Sequence, residues 1–127
     1  MPCGGGVALK IAMVFVDIVD GCSGGSGNGQ FNSPYFCAFD AEGNLVVSDQ
    51  GNHRIQVLRY SDGAHLRTIG SQGAGNGQFS SPMGIAFDGA GHILVADYSN
   101  HRVQMLRYSD GAHVRTIGSR GSGNGQF

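Results

Sequence analysis

From Gly25 to Gln72 the chain lays down a 48-residue phrase that Gly73–Arg120 repeats without a gap, with 31 of the 48 positions identical. A third copy opens at Gly121 and runs through the final GSGNGQF. Near-identity at a fixed period constrains the fold more than any local propensity does. It requires an architecture in which successive units have equivalent surroundings. A β-sandwich built from the same strands does not need its sequence to repeat; a stacked or radial array does.

Inside each unit the apolar residues alternate over short runs and never take the spacing of a helix. In the second unit GIAFD, HILVAD, RVQMLRY and HVRTIG read as four strands, separated by GAG, YSNH and SDG. In the third of these, Val103 and Met105 point to one face while Gln104 and Leu106 point to the other. The Ser109–Gly111 turn is a hairpin signal of the Asp-Gly type. The first unit parses in the same way through YFCAF, NLVVSD, RIQVLRY and HLRTIG. The 23 glycines without a collagen period fit a chain of many turns. The expectation is all-β: β-propeller blades of four antiparallel strands, two of them complete. The units occupy 25–72 and 73–120, with the start of another at 121–127 and a poorly matching segment at 1–24.

The order of motifs carries a resemblance. Each unit opens on GSGNGQF or GAGNGQF, continues through SP and FD-x-x-G, and then gives a strand ending in aspartate, Asn-His-Arg and Q-x-L. This resembles the NHL repeat, with arginine in the third signature position. The resemblance covers residues 25–127. It implies a propeller, and propellers of this kind close with about six blades. Two units cannot close a ring, so the chain is expected to be a fragment or a ring-completing oligomer. With an offset of 48, Val7–Ala12 falls on a third strand and Val14–Val19 on a fourth, as a remnant of a preceding blade.

Asp49, Asn52, His53 and Arg54, echoed by Asp97, Asn100, His101 and Arg102, form the most suggestive polar cluster. Asp and His across a turn could ligate a metal or relay a proton. The alternative is structural: the aspartate accepts N–H bonds from its turn, the asparagine takes a left-handed conformation, and the arginine bridges to the next blade. Recurrence in both units favours the structural reading, because a catalytic site normally needs its residues once. No catalytic, cofactor-binding or metal residues are therefore assigned. Phe31 and Phe79 are expected to anchor the crossings between units, and Pro34 and Pro82 to set the start of the innermost strands. The GSGNGQF linkers do not precede a helix, so they do not read as phosphate loops. His65, His113, Arg59, Arg107, Arg67 and Arg115 read as a weakly basic edge.

Relatives that the resemblance implies bind proteins or single-stranded RNA, or act as metal-dependent lyases or lactonases. The enzyme reading lacks histidine on the innermost strands YFCAF and MGIAF, where Asp40 and Asp88 are the nearest acids. No RING or B-box pattern supports ligase activity. The net charge of -1 argues against a strong RNA interaction, although Tyr35, Tyr60, Tyr98 and Tyr108 are available for stacking. Protein binding is preferred, with Tyr35, Gln50, Met83 and Tyr98 as the candidate surface, because there the copies differ and loops should reach the faces. A homo-oligomer of three chains would supply a ring of about six blades.

The apolar stretch from Val7 to Val19 is interrupted by Lys10 and Asp17 and has no basic residue before it. It suits neither a membrane span nor a secretory leader. No membrane partner is expected, and the default location is cytoplasmic. Cys3, Cys22 and Cys37 follow no metal spacing and read as thiols in a reducing compartment, with a Cys3–Cys22 disulfide as the alternative.

Overall fold

The structure, a computed structural model, describes residues 25–127 together with two upstream strands, β1 (Ala8–Lys10) and β2 (Phe15–Asp17). β1 pairs antiparallel with β2, and β2 runs beside β3. The rest of the expected Val7–Val19 remnant, with Cys3 and Cys22, lies outside the described residues.

Two four-stranded antiparallel sheets account for the body of the chain. The first is β3 (Pro34–Phe39), β4 (Leu45–Asp49), β5 (Arg54–Leu58) and β6 (His65–Ile69), hydrogen-bonded in chain order. The second repeats that order with β7 (Pro82–Phe87), β8 (His92–Asp97), β9 (Arg102–Arg107) and β10 (His113–Ile117). Among the described residues, the helical turns are two three-residue 3-10 turns, Gln50–Asn52 and Tyr98–Asn100. No helix there is long and apolar enough to cross a membrane. Each hairpin after a third strand is longer than the Asp-Gly signal predicts. Gly63 N–H donates to the Arg59 carbonyl and Arg59 N–H to that of Ala64, so the loop spans Tyr60–Gly63.

The sheets stack face to face, with β7 against β3 and β4. The alternation of each strand supplies two apolar faces. Val46, Ile55, Val57 and Ile69 of the first sheet pack on Ile85, Ile93, Val95 and Leu106 of the second, and Phe79 closes the layer. On the far side of the first sheet Phe31, Cys37, Leu45, Val47 and Leu58 form a second buried cluster. Being covered on both faces, β4 is buried at every position, whereas β8 alternates buried and half-buried residues. Burial also pushes the Cys37 thiol above its ordinary pKa.

Candidate functional site

Each sheet has two ends with different chemistry. At one end the 3-10 turn after β4 or β8 meets the glycine-rich linker; at the other lie the hairpins Asp40–Asn44, Arg59–Ala64, Asp88–His92 and Arg107–Ala112.

At the linker end, Asp49 is fully buried. Its Oδ1 accepts the Asn32 N–H at 2.8 Å, and its Oδ2 accepts from Arg54 Nε (2.8 Å), Asn52 Nδ2 (3.1 Å) and Gln56 Nε2 (3.1 Å). Arg54 gives three further hydrogen bonds to the carbonyls of Ser26, Gly27 and Gln30. Asp97, Asn100, Arg102 and Gln104 repeat the knot around the linker Gly73–Gln78. A carboxylate surrounded in this way has its charge compensated by four donors of its own chain.

Three details differ from the roles read from the sequence. The aspartate accepts its backbone N–H from the residue after the linker phenylalanine, Asn32 or Ser80, rather than from its own turn. The left-handed residues are His53 (φ 56°) and His101 (φ 55°), not the asparagines. The arginines fold back onto the linker before their own sheet, because their planar guanidinium matches the carbonyls exposed there; it is His53 that reaches the next unit, Nδ1 accepting the Ser81 N–H at 3.0 Å. Gln56 and Gln104 belong to the knots and were missed as members. Their signal was the recurrence of Q-x-L together with GNGQF.

The four surface candidates cluster at this end. Tyr35 is exposed on β3, and Met83 is its half-buried counterpart on β7. Gln50 and Tyr98 start the two 3-10 turns, Tyr98 being 62% exposed.

The hairpin end holds a groove of about 900 Å³ where the two sheets meet. Its walls include Phe39, Phe87 and Tyr108, and its rim includes Asp40, Glu42, Arg67, His92 and Arg107. Tyr108 crosses the sheet boundary, its hydroxyl donating to Asp40 Oδ2 at 2.7 Å. Phe87 meets its ring edge-on at 5.1 Å, and the Arg67 guanidinium lies 4.3 Å from its centroid. Burial, then the hydrogen bond to Asp40 and its charge, raises the Tyr108 phenol well above its ordinary 10.0, against the smaller opposing effect of Arg67. For Asp40, burial pushes the carboxyl up, but the bonds from Tyr108, Asn44 and the Glu42 N–H together outweigh it and the net direction is down.

The weakly basic edge is neutralised in part. Arg59 pairs with Asp62 and Arg107 with Asp110, His65 and His113 bond to Thr68 and Thr116, and Arg67 covers Tyr108. Burial, with the Arg54 charge, also holds His65 below its ordinary 6.5. Among the described residues, no group of three or more His, Cys, Asp or Glu side chains is placed to hold a metal ion.

Comparison with known families adds one match. Residues 79–105, from the linker phenylalanine through β7 and β8 and into β9, match the NHL repeat. That segment is similar to an NHL repeat. A comparison with curated proteins gave no match. The matched NHL segment contains Asp97, Asn100, His101, Arg102 and Gln104, and thus the core of the second knot. The all-β architecture of four-stranded antiparallel sheets is that of partial β-propeller blades.

Proposed function

We propose that this chain is a non-catalytic protein-interaction module of the β-propeller kind, with residues 25–72 and 73–120 as successive blades, and that it binds a polypeptide segment in the groove at its hairpin end. The groove is the observation that carries the reading. It offers aromatic edges for an apolar anchor, with both signs of charge around them to fix orientation. Phe39 is 40% exposed there and packs edge-on against Tyr60, 5.1 Å away, so an apolar contact surface is already ordered. The mixed rim favours protein over nucleic acid, which would call for an unbroken positive track. The exposure of Tyr35 and Tyr98 favours a second reading, in which the same kind of partner docks at the linker end.

A random-peptide display library panned on the full chain tests both. Enriched peptides sharing an apolar anchor should bind the parent, lose binding to Phe39→Ser at a temperature where that variant is still fully folded, and retain it with Tyr98→Ser. The reverse pattern assigns the linker end. Peptides indifferent to both substitutions, or no enrichment, would sink the proposal.

A further inference from the structure

The Arg67 guanidinium in the hairpin-end groove has no carboxylate partner among the described residues. Arg54, Arg59, Arg102 and Arg107 each pair with an aspartate. Arg115 and Arg120 also lack one, but both are exposed and neither lines the groove. Arg67 is half-buried, held over the Tyr108 ring at 4.3 Å from its centroid. An aromatic face attracts a cation without carrying a formal charge, so the ring places the guanidinium and leaves its charge unbalanced. A partly buried charge is also screened less than one in open solvent.

The acids nearby are committed or lie in open solvent. Asp40 accepts from the Tyr108 hydroxyl, from the Glu42 N–H and from Asn44. Asp88 is held by His92 Nδ1 at 2.6 Å. Glu42 is exposed, so water and salt weaken its field. Arg107 faces the same groove, and its pair with Asp110 is exposed on both sides, which makes it a weak tie.

We propose that Arg67 is an anion subsite of the groove, selecting polypeptide segments that carry an aspartate or glutamate next to their apolar anchor. This rests on the reading of the groove as the peptide site. The guanidinium fork receives the carboxylate with Arg107 beside it, while the apolar side chain lies against Phe39 and Phe87. The subsite needs both sheets, because Arg67 comes from β6 and the ring that places it from the residue after β9.

The test uses displayed peptides, random on both sides of a fixed leucine. They are panned on the full chain, on Arg67→Gln and on Arg115→Gln, which removes the same charge outside the groove. Every binding measurement is made at a temperature where the variants are fully folded. The parent and Arg115→Gln should enrich Asp or Glu beside the leucine, and Arg67→Gln should lose that bias. In an enriched peptide made synthetically, replacing the acid by its amide should weaken binding to the parent about tenfold and to Arg67→Gln hardly at all. Parent binding should weaken as salt is raised, and Arg67→Lys should keep only part of the preference. Enrichment without acidic bias, lost with Phe39→Ser, would overturn the subsite and leave the groove reading standing. A basic bias would overturn it and give the charged contact to Glu42. An acidic bias that survives Arg67→Gln would overturn it as well. No enrichment, or peptides indifferent to Phe39→Ser, would sink the groove reading together with it.

Discussion

The hydroxyl of Tyr108 and the carboxylate of Asp40 are 68 residues apart in the chain and 2.7 Å apart in space, joined across the boundary between the two sheets. Tyr60, the residue equivalent to Tyr108 in the first unit, keeps the edge-on aromatic contact, with Phe39, but its hydroxyl has no partner among the described residues. Tyr108→Phe should therefore cost on the order of 1–2 kcal/mol in urea unfolding, and Tyr60→Phe close to nothing. Asp40 keeps its donors from Glu42 and Asn44, so the loss is that of one bond rather than of an orphaned charge. Equal effects of the two substitutions would mean that the cross-sheet bond contributes nothing.

The same pair predicts two pH dependences. Because the folded pKa of Asp40 is lowered, its contribution to stability is present above the ordinary 3.8 and is lost as pH falls through the folded value. The raised Tyr108 pKa acts at the other extreme. The stability from keeping its phenol neutral is fully present below 10.0 and is lost as pH rises toward the folded value. Absorbance at ~295 nm should show a late-ionising tyrosine in the parent, and Tyr108→Phe should remove that component.

Arg102→Ala leaves the buried Asp97 carboxylate without its cation, removes one donor from each of three linker carbonyls and leaves that of Ala74 with none. The expected loss is about 3–5 kcal/mol, as for breaking other buried ion pairs. Arg102→Lys should recover part of it, since an ammonium can satisfy the carboxylate but cannot fork across the carbonyls. Calorimetric melting of the three proteins gives the order; an alanine variant as stable as the parent would refute the anchoring role.

His53 and His101 both hold a left-handed backbone, which disfavours any residue with a Cβ by about 1–2 kcal/mol. His101→Gly should relieve this strain and raise the urea midpoint. His53→Gly relieves the same strain but also removes the acceptor for Ser81 N–H, so it should gain less or lose. Identical gains at the two positions would show that the histidine link between the sheets is energetically empty.

Gly70 and Gly118 occupy equivalent left-handed positions, at φ 88° and 86°, each beneath a linker-type phenylalanine. A Cβ on Gly70 would collide with the fully buried Phe79, which has nowhere to move, whereas on Gly118 it would meet the half-exposed Phe127. Gly70→Ala should destabilise by more than about 2 kcal/mol and Gly118→Ala by clearly less. Far-UV circular dichroism during urea titration is sufficient to rank them.

The period of 48 residues, the four strands in each unit and the positions of the turns were all legible in the sequence, because alternation and turn chemistry act over a few residues. The recurrence of Asp, Asn, His and Arg likewise marked a structural knot in each unit. Its wiring was not legible: the arginine meets linker carbonyls some 24–28 residues upstream, and the histidine meets an N–H 28 residues downstream. The groove was missed for the same reason, since Phe39 and Phe87 converge only when two sheets stack. Nearly identical units also have unlike fates that no local pattern encodes. Val46 is buried and Leu94 is half-exposed, and Asp40 receives a tyrosine while Asp88 turns to its own histidine. The sequence by itself determined the unit, because what builds a unit is local. Only the tertiary structure decided which face of each unit is covered, because burial depends on the neighbour and not on the residue.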